Sequence, residues 1–196
     1  MASFRVFMSS FFKLKRDSYV KRGVSVHKAK RLLIAALFGS IIFITRVFVP
    51  SPIDKLLIVV DAVLLSLAAL FIKKAGATQV GAVGGVLAGL WRPSVPFSFI
   101  LVFLYGVLVD VFLFLFKINA TAEGVNRNML MLAMACSTLV IAFLSYYVTA
   151  LGLDIVTANP VLDMLVAFMG PISGAVAGYA AAYLWNKYLK NISLAS

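Results

Sequence analysis

Apolar residues fall in six blocks along the chain, at 32–49, 56–72, 75–91, 97–116, 129–151 and 162–185. Between them lie short polar or proline-bearing stretches: Pro50-Ser51-Pro52, Lys73-Lys74, Arg92-Pro93, Lys117 and Asn186-Lys187. Blocks of this length and hydropathy predict helices that cross a hydrocarbon layer, with charges and prolines stopping each one.

The third block has a pattern of its own. Within GATQVGAVGGVLAGLWRPSVP, Ala77, Gly81, Gly85 and Gly89 recur every fourth residue and share one face of a helix, which Gly84 and Ala88 widen. In water each interior glycine costs about 1 kcal/mol against alanine. In lipid the same smooth face lets two backbones approach, and close packing replaces the missing hydrophobic drive. The sequence therefore predicts a short, glycine-rich third helix at the centre of a bundle. Gly170, Gly174, Gly178 and Ala182 form a second ladder in the sixth block. Gly81-Ala82-Val83-Gly84-Gly85 reads like Gly174-Ala175-Val176-Ala177-Gly178, an echo of the kind that inverted three-helix repeats leave, though two glycine-rich helices also match by chance.

Ahead of the first block, Phe4, Phe7, Met8, Phe11 and Phe12 follow the spacing of an amphipathic helix that lies in the headgroup region. The charged run KLKRDSYVKRGVSVHKAKR follows, and residues 1–31 lack the apolar core of a cleaved signal. The domain reading is thus a basic arm at 1–31, a six-helix membrane domain at 32–190 and a short tail at 191–196.

Composition sharpens this picture. Of 196 residues, 63% are hydrophobic and 13% charged, and the mean hydropathy is +1.03. A soluble domain of this size cannot hide so much apolar surface. Nine of the eighteen Lys and Arg residues lie in the first 31 positions. Next to a membrane span, such a cluster reads as a topology signal with attraction for anionic lipid rather than as a nucleic-acid tail. With the amino terminus inside, fifteen Lys and Arg residues fall on the cytoplasmic side, against Arg46, Lys55 and Arg92 outside. Both termini are then expected in the cytoplasm of a multi-pass cell-membrane protein, where the sequons at Asn119 and Asn191 are inert.

Candidate chemistry is sparse. Cys136 and His27 are the sole residues of their types, which excludes an internal disulfide and a Cys/His metal cluster and disfavours a serine triad. Three ionisable residues enter the spans: Arg46, Asp61 and Asp110. A charge at such depth costs about 2.5–3.5 kcal/mol on insertion scales, so each calls for a partner or a function. Arg46 and Asp61 are joined by a short connection and are placed to reach each other, either as a staple of the first hairpin or as part of a site. Asp110, in the other half of the membrane depth, reads as a helix-packing partner, or as a neutral acid bonded to neighbouring backbone, rather than as a ligand contact. That separation rules against paired-carboxylate chemistry. No enzyme, cofactor or metal is expected.

At the outer mouth, Trp91, Arg92, Tyr146, Tyr147, Asn159 and Asp163 combine aromatic rings with convergent polar groups. With Asp61 they are the candidate contacts for a small planar ligand. Trp and Tyr also gather at membrane interfaces with no ligand at all. In span one, Ala35, Ala36, Gly39 and Ser40 make overlapping small-residue pairs, suited to internal packing or to a partner helix.

Six short spans with both ends inside and a small-residue patch on the first resemble the substrate-binding S components of energy-coupling factor transporters. Within that group, GAVGGVLAGLW, a proline-containing outer loop and FLYGVLVDVFLFLFK are similar to S components assigned to thiamin precursors. The resemblance covers roughly 30–190 and rests on small residues and spacing. It implies a vitamin-like ligand captured from outside beneath the first outer loop. It further implies a transmembrane coupling protein, docked on Ala35, Ala36, Gly39 and Ser40, and a pair of cytosolic ATPases. The chain has no Gly-x-x-x-x-Gly-Lys-Ser/Thr loop, so ATP would be handled by those partners. The competing class is a structural or assembly membrane protein, because the same fold resembles that of some cell-shape proteins. An outward cavity lined by Asp61, Trp91, Arg92 and Tyr146 would favour capture, whereas a solid bundle with Trp91 facing lipid would favour assembly.

Overall fold

The computed structural model describes residues 29–48, 53–72, 75–91, 98–121, 123–148 and 160–190. The basic arm before 29, Arg92, Asn159 and the tail at 191–196 lie outside them. Among the described residues there are six α-helices: α1 (Ala29–Phe48), α2 (Ile53–Ile72), α3 (Gly76–Trp91), α4 (Ser98–Leu115), α5 (Arg127–Tyr147) and α6 (Pro160–Leu184). No strand occurs among the described residues. Three helical stretches, Ala29–Phe48, Arg127–Tyr147 and Asp163–Leu189, are long and apolar enough to cross a membrane, and Ile58–Ile72 and Phe99–Leu115 are shorter apolar helices. The chain divides into two compact units, Met1–Ile34 and Ala35–Ser196. Of the first, the described residues are the opening turns of α1; the second holds everything below.

The helices start and stop where backbone chemistry allows. Proline at the head of α6 fits a first helical position, where its missing N–H has no partner to lose. Asn126 caps α5 by accepting from the backbone N–H groups of Asn128 and Met129. After α4, Lys117 turns into the left-handed region (φ 52°). There its N–H donates to Phe114 O at 3.0 Å, and Ile118 N–H donates to Leu113 O at 2.9 Å. That is the Schellman ending, with lysine where glycine is usual.

The amino end of α3 is capped from another helix. Asp110 of α4 accepts from Ala77 N (3.2 Å), Thr78 N (2.7 Å) and Thr78 Oγ1 (2.6 Å). A carboxylate here satisfies donors that a helix start leaves open and complements the positive end of its dipole. Of the two roles expected for Asp110, packing partner or neutral acid on neighbouring backbone, the structure shows the contact with backbone N–H groups of a neighbouring helix. Asp110→Ala is expected to cost about 1–2 kcal/mol, measured by chemical unfolding in lipid bicelles, while Asp110→Asn keeps an acceptor and loses less.

Both glycine ladders are helix seams. A Cβ added at Gly81 would lie 2.9 Å from Val102 O, one at Gly85 would lie 2.7 Å from Phe99 O, and one at Gly106 of α4 would collide with Ala77 O. So the α3 ladder faces α4, backbone against backbone. Gly84, off the ladder, faces α1, where its Cβ would meet Gly39 O at 3.1 Å and Ile42 at 3.2 Å. The α6 ladder faces α5: Gly174 abuts Met134 and Thr138, and Gly178 abuts Leu130 and Met131. The echo between spans three and six does not extend to packing. One ladder seats on the following helix and the other on the preceding one.

Around these seams, α2 contacts α3, α4 and α6, and α4 contacts α5. The core holds Leu65, Val80, Val102, Val109, Leu130, Met134 and Trp185. Trp185 packs edge-on against Phe71 at 4.9 Å and opens a π-helical turn, Trp185–Leu189. That turn places Asn186 so that its Oδ1 accepts from Val125 N (2.7 Å) and its Nδ2 donates to Val125 O (2.9 Å), clasping the α4–α5 connection. The outward faces remain apolar, with Leu90, Phe114, Leu115, Phe168 and Ile172 exposed. A monomer in water rarely shows so much apolar surface, whereas one covered by lipid does so throughout.

Candidate functional site

The polar centre of the second unit lies between α1, α2 and α4. Asp61 sits on α2 with its side chain 3% exposed, among residues that are otherwise apolar. Arg46 of α1 donates from Nε to Asp61 Oδ2 at 2.9 Å, and its side chain is 32% exposed. Thr45 Oγ1 lies 2.9 Å from Asp61 Oδ1 and 2.8 Å from Ile42 O, so a single hydroxyl proton serves two acceptors. Successive residues 45 and 46 thus grip both oxygens of one carboxylate. The predicted reach between Arg46 and Asp61 is realised as an ion pair.

The fourth member is Tyr105 of α4. It is buried, its Oη has no hydrogen-bond partner among the described residues, and it lies within electrostatic range of Asp61 and Arg46. A buried hydroxyl left without a partner costs roughly 1–3 kcal/mol, so its presence in an apolar core calls for an explanation. Sequence reasoning passed over both Thr45 and Tyr105. A hydroxyl in the middle of FLYGVLVD was the available signal.

Trp91 stands apart from this cluster. It is 63% exposed at the end of α3 and meets two α1 rings, Phe43 at 6.4 Å and Phe48 at 6.1 Å, which stand 6.2 Å from each other. On α5, Tyr146 is buried and Tyr147 exposed; Tyr147 stacks on Phe143 at 6.2 Å and meets Tyr146 at 5.4 Å. Asp163, in the first turn of α6, keeps a buried Oδ1 with no partner among the described residues. The structure therefore joins Asp61 to Arg46 and Thr45, and Trp91 to the α1 aromatics. Arg92 and Asn159 fall outside the described residues.

The small-residue patch of α1 is split. Ala35 and Gly39 are buried, and a Cβ on Gly39 would lie 2.7 Å from Val83 Cγ1. Ala36 is exposed, Ser40 is half-buried, and Leu37, Ile44 and Phe48 continue the outward face.

A cavity of about 470 Å³ lies at the other end of the bundle, lined by Ala69, Leu70, Ala75, Asp110, Leu113, Phe114, Lys117, Ile118, Asn119 and Ala120. None of the sequence-predicted ligand contacts among the described residues lines it. Both oxygens of Asp110 in its wall are already engaged by α3, and the remaining polar side chains of the lining are Lys117 and Asn119. Among the described residues, no group of three or more His, Cys, Asp or Glu side chains is placed to hold a metal. No family model matches this chain, and comparisons with curated proteins and with solved structures found no match either.

Proposed function

We propose that this protein is the membrane-embedded capture subunit of a small-molecule uptake transporter. Its six helices cross the membrane with both termini in the cytoplasm, and it takes a vitamin-like ligand from outside. A transmembrane coupling protein and a pair of cytosolic ATPases drive release. The observation that carries the reading is the largely buried cluster of Arg46, Asp61, Thr45 and Tyr105 near the Trp91 end of a mostly apolar bundle. Lipid-embedded charges and unsatisfied hydroxyls are costly, and they persist where a solute is handled. The small-residue patch agrees in part: α3 occupies Gly39, which leaves Ala36 and the half-buried Ser40 as the edge open to a coupling partner.

A second reading, a structural or assembly membrane protein, has its own observation. Trp91 is mostly exposed, and the glycine ladders are filled by neighbouring helices. Affinity purification of the full chain from its native membranes in a mild detergent separates the two. Stoichiometric recovery of a multi-span protein and P-loop ATPases is the expected result. Recovery of the chain alone, or with partners lacking any ATPase, supports the assembly reading.

A further inference from the structure

The cluster at Arg46 holds more donors than acceptors. A guanidinium offers five N–H groups, and one of them, Nε–H, is engaged by Asp61. Among the described residues nothing pairs with Arg46 Nη1 or Nη2. Tyr105 Oη adds a further donor that is buried and unpartnered. On the acceptor side, the two oxygens of Asp61 are taken by Arg46 Nε and Thr45 Oγ1, and Ile42 O already faces Thr45. Water can solvate the exposed third of Arg46. It does not reach Tyr105, which is 3% exposed.

What would complete this cluster is a group rich in acceptor oxygens. Asp61 holds the guanidinium by its Nε edge, which leaves the paired Nη edge for two oxygens of one carboxylate or phosphate. The unpaired groups of the cluster are N–H and O–H donors, which suit an anion better than a cation. From this, and resting on the capture reading of the same cluster, we infer that the ligand is a small, soluble organic anion. Its carboxylate or phosphate oxygens are received by Arg46 Nη1 and Nη2 and by Tyr105 Oη.

The test uses the full chain in phosphatidylcholine nanodiscs, with thermal unfolding followed as sodium benzoate, phenyl phosphate or neutral benzamide is titrated. Benzoate or phenyl phosphate should raise the unfolding temperature saturably and benzamide should not. Arg46→Gln should abolish the response. Tyr105→Phe, which removes one hydroxyl and leaves the ion pair intact, should weaken apparent affinity roughly tenfold. Equal stabilisation by benzamide, or a response unchanged in both variants, overturns the inference. So does an effect seen only when phosphatidylglycerol replaces phosphatidylcholine, which would assign the oxygens to a lipid headgroup. Native mass spectrometry of the same preparation separates the two levels of failure. A retained neutral or cationic molecule, with no response to the anions, sinks the anion and leaves capture standing. A bare protein that ignores every probe ends both.

Discussion

Arg46→Met is expected to destabilise the protein by about 3 kcal/mol, while Arg46→Met combined with Asp61→Leu returns it close to the parent. Removing one partner of a buried pair costs about 3–5 kcal/mol, because an uncompensated charge stays behind, whereas a well-packed apolar replacement of both is often neutral or better. The two singles should differ. Asp61 is almost fully buried and keeps only Thr45 when Arg46 is lost. Arg46, a third exposed, can turn its head group to water when Asp61 is lost, so Asp61→Leu should cost about 1 kcal/mol. Denaturant unfolding in bicelles reads all three proteins. A double variant as unstable as Arg46→Met would mean that the pair acts through packing rather than charge.

Gly174→Leu is expected to yield no folded protein, and Gly174→Ala to cost about 1–3 kcal/mol. A Cβ at Gly174 would collide with Met134 O and Thr138 Oγ1. The threonine can rotate, but the carbonyl belongs to the α5 backbone and yields only if the two helices separate. Gly170 supplies the control on the same ladder. There the nearest atom to a new Cβ is Ala142 Cβ at 3.3 Å and no backbone atom is closer than 3.5 Å, so Gly170→Ala should be tolerated within about 1 kcal/mol. Equal effects at the two positions would show that glycine content, not the backbone contact, holds the seam together.

Much of this architecture was legible in the chain. Spacing of four put Ala77, Gly81 and Gly85 on one face, and that face is the seam with α4. Hydropathy placed helices within a few residues of their ends, since prolines and lysines stop both a span and a helix. The reach from Arg46 to Asp61 followed from the short connection between α1 and α2. What spacing could not give was the rotation of each helix relative to non-adjacent ones. Tyr105 comes within electrostatic range of Asp61, Asp110 finds the start of α3, and Asn186 finds Val125 61 residues away, because of how whole helices dock. The Asn186 clasp also needs the π-helical turn that opens at Trp185, and no periodicity announces one. Among the candidate ligand contacts the aromatic signal pointed two ways, to a site or to an interfacial belt. Trp91 turned toward Phe43 and Phe48 of α1, while Tyr146 and Tyr147 gathered around Phe143 on α5.

Whether the buried ion pair serves a guest or only fastens two helices is best decided by native mass spectrometry of the parent and the paired Arg46→Met, Asp61→Leu protein, purified gently and side by side. The account predicts that both are folded, that the parent carries one additional small mass released on mild activation, and that the paired variant is bare. The same adduct on both proteins, or none on either, would contradict it.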